Sequence, residues 1–335
     1  MDSTTSASVE NQYYKIKMKV IVTGGAGFIG SHVSDVLLDR GDTVICIDDF
    51  NDYYNPDRKR ENIKNALQNP NFILEEGDIR DYKFLEQVFQ KHNPEKIIHL
   101  AARAGVRAST KDPFIYIQTN IDGTHNLLDL SVKHKIKNFV YASSSSVYGK
   151  NKKIPFSEND NVDNPVSVYA ATKKACELLT YTYHHMYGLK CTGLRFFTVY
   201  GPRGRPDMVP YMFTNKIYRG EEITVFGTGD DMKRDYTYIT DIVRGVIAAL
   251  DKDLDYEIIN LGNSTPITLN RFIPIVEQNL GKKAIIKNMP IPPTEVPITY
   301  ANTEKAERLL GFKINTPPEE GIKRLVQWFL ETKQK

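Results

Sequence analysis

The chain predicts an α/β fold: a Rossmann-type doubly wound parallel sheet with a smaller carboxyl-terminal substrate-binding lobe. Three observations lead there. Short apolar runs are continuous rather than alternating, longer amphipathic stretches separate them, and this rhythm breaks near Gly201 as proline and turn residues multiply. Runs at 20–22, 44–47, 72–74, 97–100 and 139–142 are rich in branched residues, as suits strands covered on both faces. Helical stretches at 28–41 and 114–135 lie between them, which is the βαβ rhythm. Residues 289–293, Met-Pro-Ile-Pro-Pro, cannot be helical. The expected division is a flexible tail at 1–17, the doubly wound domain at 18–200, and a lobe at 201–335 that shares some elements with the first.

The composition is that of an ordinary enzyme. Forty-four Lys and Arg against 41 Asp and Glu leave a net charge of +3, so neither a nucleic-acid nor a membrane partner is expected. No apolar run reaches the roughly 18–20 residues that span a bilayer. The first 17 residues lack the apolar stretch of a secretion signal. Cys46, Cys176 and Cys191 show no metal-binding spacing and read as buried thiols of a cytoplasmic protein, with no metal expected.

Thr23-Gly24-Gly25-Ala26-Gly27-Phe28-Ile29-Gly30 follows the first strand and opens the first helix. Gly24 permits a tight turn, Gly27 a close approach of backbone to pyrophosphate, and Gly30 close helix–strand packing. The free N–H groups at Phe28, Ile29 and Gly30 would meet phosphate oxygens. Asp48 ends the second strand, where a carboxylate accepts from ribose hydroxyls and repels a 2′-phosphate, favouring NAD. Asp78 and Ile79, after the third strand, are placed to meet adenine.

Three places read Tyr-x-x-x-Lys: Tyr13–Lys17, Tyr148–Lys152 and Tyr169–Lys173. The first lies in the tail and the second straddles Gly149. Tyr169–Lys173 alone begins a convincing helix, where residues four apart are neighbours. An ammonium one turn from a phenol favours the phenolate, which can take a proton from a substrate hydroxyl as hydride leaves the same carbon. The serine run 143–146 follows the fifth strand, at the carboxyl edge where such sheets bind ligands.

With TGGAGFIG at 23–30, HLAA at 99–102, SSSSVYG at 143–149, the Tyr169–Lys173 pair and LRFF at 194–197 in that order, the chain resembles the extended short-chain dehydrogenase/reductases that act on nucleotide sugars. The resemblance covers about 18–329. It implies a tightly held, recycled NAD, and a catalytic trio of Ser144 (four residues before Tyr148), Tyr169 and Lys173. Asn120 and the Ala101-Ala102 turn would complete the cofactor cradle. Within the family, similar 4,6-dehydratases carry Thr-Asp-Glu where this chain has Ser144-Ser145-Ser146, and uronate decarboxylases carry Glu at the position of Ser146. A 4-epimerase is what remains.

Residues 194–208 are similar to the corresponding segment of UDP-glucuronate 4-epimerases, which implies interconversion of UDP-glucuronate and UDP-galacturonate. The alternatives are an epimerase of UDP-galactose or UDP-N-acetylgalactosamine, and, further off, a decarboxylase or 4-ketoreductase. By this resemblance Ser143, Ser145, Thr198 and Arg205 are the candidates to receive the sugar carboxylate, with the nucleotide or its own loop as alternatives for Arg205. Arg107 is a further candidate for the substrate, with the cofactor diphosphate as its alternative partner. Arg234 would meet the substrate diphosphate, and Val209 and Tyr211 the uracil. The chain departs from the pattern at Arg203 (usually Trp), at 294–297 and at Asn302. A homodimer is implied, its four-helix bundle formed by 114–135 and 168–188.

Overall fold

Alternation along each strand builds this molecule. The computed structural model describes residues 17–252, 254–292 and 296–334. All but Lys17 of the expected tail, and Thr294 and Glu295, lie outside them. The strands include β1 (Lys19–Thr23), β2 (Thr43–Asp48), β3 (Phe72–Glu76), β4 (Lys96–His99), β5 (Asn138–Ser144), β6 (Cys191–Phe196), β7 (Thr198–Tyr200), β8 (Glu222–Phe226), β9 (Lys233–Arg234), β10 (Tyr236–Tyr238) and β11 (Tyr256–Leu261). Seven of them form a parallel sheet in the order β11-β6-β5-β4-β1-β2-β3. The order reverses between β1 and β4, which opens a crevice there.

Side chains of successive strand residues point to opposite faces, so every central strand feeds two cores. Val20, Val22, Val44, Cys46, Ile98, Val140 and Leu194 belong to one. Ile21, Ile45, Ile47, Ile97, Phe139 and Tyr141 belong to the other. The first core is closed by α1 (Phe28–Asp39), through Val33 and Leu37. On the second face lies α3 (Tyr82–His92), bringing Leu85 and Val88; α2 (Pro56–Asn62) precedes it.

The expected helix at 114–135 is three pieces: α4 (Pro113–Tyr116), a π-helical turn at Ile117–Asp122, and α5 (Gly123–Lys133). Beyond it run α6 (Val168–Tyr187), α7 (Val209–Arg219) and α8 (Ile239–Asp251). The segment after 200 does not stay apart. It returns β11 to the edge of the central sheet, paired with β6 over six residues, and α8 packs into the first core. Beyond β6 the chain turns at Phe197, and β7 leaves the sheet to pair with β10. Among the described residues no helix is long and apolar enough to cross a membrane.

Candidate active site

A cleft of about 760 Å³ opens at the carboxyl ends of the central strands, within the range of about 300–1,000 Å³ usual for ligand sites. Gly24, Gly27, Phe28, Ile29 and Gly30 form one wall. Gly24 turns with φ +67°, and a Cβ there would press on Ala101. A Cβ on Gly30 would run into the Gly24 carbonyl, so this helix can seat so close to β1 only with glycine. The N-terminus of α1 has no side-chain cap, so its first N–H groups are left for a ligand anion. A dinucleotide pyrophosphate fits that cradle.

Asp48 closes the far end of this wall. Its carboxylate accepts from the Ala26 amide (3.2 Å) and the Phe50 amide (3.0 Å), and its Oδ1 lies 3.3 Å from Lys59 Nζ. Burial pushes the carboxyl above its ordinary range, and Lys59 pulls against that. Asp78 and Ile79 also line the cleft. The Asp78 carboxylate is already paired with Arg80 (2.6 Å); burial would raise it, but those bonds outweigh burial and hold it low.

Behind the glycine wall runs an ordered chain of hydrogen bonds. The Ala101 amide donates to Thr23 Oγ1 (3.2 Å), which lies 2.7 Å from His99 Nδ1. His99 Nε2 lies 2.9 Å from Thr124 Oγ1, which donates to the Asn120 carbonyl. Thr124 spends its proton on that carbonyl, so Nε2–H donates and Nδ1 accepts, and the imidazole is neutral. Burial, with the Lys173 charge behind it, pulls the ring down to about 3. Asn120 does not reach the cleft wall. Its amide holds both backbone groups of Arg103 (2.8 and 3.0 Å) and Thr172 Oγ1 (2.9 Å), so it braces the Ala101-Ala102 turn that does line the cleft.

The opposite wall carries Ser144, Ser145, Ser146, Tyr169 and Lys173. Ser167 caps α6 through the Ala170 amide (3.1 Å), which places Tyr169 in the first turn and Lys173 one turn on. Lys173 Nζ donates to the Ala142 carbonyl (2.8 Å), and the Tyr169 ring meets Tyr116 edge-on at 6.3 Å. The Ser144 hydroxyl accepts from the Ser146 amide (3.1 Å) and keeps its own proton to donate. By contrast, Tyr148 is buried and its hydroxyl is tied to Asn260 and Arg195.

Ser143 differs from its expected role. It lines the cleft, but its hydroxyl donates to Glu177 Oε1 at 2.6 Å, leaving no proton for a substrate carboxylate. Successive residues on β5 face opposite ways, so Ser143 turns toward α6 where Ser144 does not. Glu177, one turn beyond Lys173, is clamped by Arg195 through two bonds (2.8 and 2.9 Å). Burial alone would raise its carboxyl, but the guanidinium outweighs burial and holds it low. This pair escaped the sequence reading. The signal was present in Glu177 at helical spacing from Tyr169 and Lys173, and in the Arg of the LRFF run.

Thr198, Arg205, Val209, Arg107 and Arg234 also line the cleft. Arg205 arrives there as an ion pair with Asp207 (2.6 Å) and donates to Tyr53 Oη (3.3 Å), so its charge is shared. Arg107 lies 5.5 Å over the Phe226 ring. Arg234 donates to the Lys233 and Pro297 carbonyls (both 3.1 Å). Tyr211 does not face the cleft. Two residues on a helix are about 200° apart, so with Val209 on the cleft side Tyr211 turns away, under Arg58 and against Phe329. Among the described residues no cluster could hold a metal ion.

Comparison with known proteins finds relatives along nearly the whole chain. A UDP-glucuronate 4-epimerase of Thermodesulfobacterium geofontis is 46% identical over 312 residues, 93% of this chain and 96% of that protein. The crystal structure of a UDP-glucuronic acid 4-epimerase from Bacillus cereus, in complex with UDP-glucuronic acid and NAD, superposes with a TM-score of 0.88 at 34% identity, covering 94% of this chain and all of that one. A UDP-glucose 4-epimerase of Thermotoga maritima, solved with UDP-glucose, gives 0.86 at 35% identity, over 94% and 99%. Residues 20–262 match the NAD dependent epimerase/dehydratase family, and the chain belongs to it.

Proposed function

We propose that the protein is a UDP-glucuronate 4-epimerase, interconverting UDP-glucuronate and UDP-galacturonate with NAD retained in the cleft. The observation that carries this reading is the meeting of Tyr169 and Lys173 with a serine run that bears no acid. Gly24, Gly27, the first turn of α1 and Asp48 would hold the cofactor. When bound, NAD supplies the hydride acceptor and donor for C4, so no net redox change results. Tyr169 takes the proton of the C4 hydroxyl and later returns it. Lys173, fixed on the Ala142 carbonyl, sits one turn from that phenol, and Ser144 donates to the reacting oxygen.

The 4-keto sugar made from glucuronate is a β-keto acid, which loses carbon dioxide when its carboxylate bond aligns with the carbonyl π system. Ser145 and Thr198, both half-buried on the wall, hold the carboxylate out of that alignment. With Ser143 committed to Glu177 and Arg205 to Asp207, these two hydroxyls are the donors left for it. Arg234, with Arg107, takes the substrate diphosphate and Val209 borders the uracil.

The reading includes a homodimer through a four-helix bundle of α4–α5 and α6, supported by the exposed Phe114, Ile117, Leu178 and Tyr181 on those helices. It also includes a cytoplasmic location, in keeping with three buried unpaired thiols.

The test is product analysis with UDP-glucuronate and no added cofactor, with UDP-glucose run alongside because the Thermotoga maritima structure is equally similar. UDP-galacturonate is the expected product. A pentose nucleotide would make the enzyme a decarboxylase, and turnover of UDP-glucose alone would overturn the carboxylate assignment. Thr198→Ala is expected to raise the pentose by-product; unchanged product purity removes Thr198 from that role.

A further inference from the structure

We infer that Lys59 is a specificity-determining residue of the cofactor end of the cleft: it is the buried counter-ion against which Asp48 is set. The inference rests on reading this end as the adenosine-ribose site of NAD.

Helix α2 carries three cations in a row, and each goes to a different partner. Arg58 donates to Tyr211 and the Gly204 carbonyl, joining the two halves of the chain. Arg60 pairs with Glu76 in solvent. Lys59 alone is buried, 5% exposed, with its ammonium 3.3 Å from Asp48 and 3.8 Å from Asp49. Lys59, Asp48 and Asp49 all line the cleft. An ammonium taken out of water is costly unless it is paired, so its placement here needs a reason. Structural support for Asp48 alone does not need a cation, because the Ala26 and Phe50 amides already hold both carboxylate oxygens.

The charges at this end are Asp48, Asp49 and Asp78 against Lys59 and Arg80, a net of one negative. A ribose diol is neutral and finds in Asp48 an acceptor whose ionised form Lys59 favours against burial. A 2′-phosphate carries about two negative charges and meets a net negative rim. Remove the Asp48 charge and the balance goes from net negative to neutral: Lys59 then faces the ribose with only Asp49 to share. A cation near this ribose is what accommodates a 2′-phosphate. Lys59 thus has one role with the acid present and the opposite one without it.

The experiment equilibrates wild type, Lys59→Met, Lys59→Arg, Asp48→Asn and Asp48→Asn/Lys59→Met with equal NAD and NADP. After dialysis, the retained nucleotide is counted by chromatography of the denatured protein. Wild type and Lys59→Arg are expected to keep NAD, and Lys59→Met to keep at least tenfold less. Asp48→Asn is expected to gain NADP, and adding Lys59→Met to it to remove that gain. Wild-type NAD retention in Lys59→Met, or equal NADP in the Asp48→Asn single and double variants, overturns the role of Lys59. Should Lys59→Met not fold, the single-against-double comparison still decides, since the double variant leaves no buried unpaired charge. Wild type holding neither nucleotide would instead overturn the NAD reading, and this inference with it.

Discussion

Tyr169 and His99 show how far one residue's surroundings decide its behaviour. Tyr169 sits on the cleft wall with Lys173 one turn away, and proton transfer by such a group is worth roughly 10²–10⁴-fold. Tyr169→Phe is therefore expected to lose kcat on that scale with an unchanged melting temperature; a variant with more than a tenth of wild-type kcat would remove the phenol from the chemistry. His99 is buried and neutral, with its ring pulled down to about 3 against an ordinary 6.5. Between those values the unfolded chain binds the extra proton, so stability falls as pH drops below about 6.5, by at most about 1.4 kcal/mol per pH unit from this ring. Replacing His99 with Gln should flatten the dependence of melting temperature on pH across that window; an unchanged slope would show that other groups set it.

At the scale of elements, α6 is fastened to β5 in successive rungs. Lys173 binds the Ala142 carbonyl and Glu177 binds the Ser143 hydroxyl, so the strand end carrying Ser144 and the helix carrying Tyr169 are held together. Arg195 from β6 completes the clamp. Removing one partner of a buried ion pair costs about 3–5 kcal/mol, whereas replacing both by apolar residues is often neutral. Glu177→Ala should therefore lower unfolding stability by about that amount, and Glu177→Leu/Arg195→Met by much less, as read from denaturant midpoints. Equal losses would mean that the pair carries no such penalty.

These rungs also show what the sequence made legible. The strands, the glycine turn and the Tyr169–Lys173 helix declare themselves locally, through apolar continuity, turn residues and helical spacing. Where a side chain spends its hydrogen bonds is decided by neighbours far along the chain. Ser143 is taken by a residue 34 positions on and Asn120 by Thr172, 52 positions on. No local pattern announces that. The turning away of Tyr211, by contrast, follows from helix geometry once the start of α7 is known.

For the whole molecule, the boundary near residue 200 is a boundary of rhythm rather than of packing. β11 covers the edge of β6, and Ile259 and Leu261 are fully buried in its place. Asn138, at the start of β5, donates its amide to the Ala249 and Leu250 carbonyls at the end of α8. A fragment ending at 200 would expose an apolar sheet edge and leave the first core open. It is expected to aggregate without a cooperative melt, by size-exclusion chromatography and circular dichroism; a monodisperse fragment with a sharp transition would show the first half to be autonomous.

The central sheet, finally, acts as a partition. Ile21 and Val22 are joined by a peptide bond yet serve different cores, while Val22 and Leu194, 172 positions apart, share one. Distance along the chain is therefore a poor guide to energetic kinship here. Substitutions that share no neighbours tend to add and those that do tend to interact. A lineage accumulating changes could thus repack one side of this wall while the other keeps its original fit, with adjacent codons drifting under separate constraints.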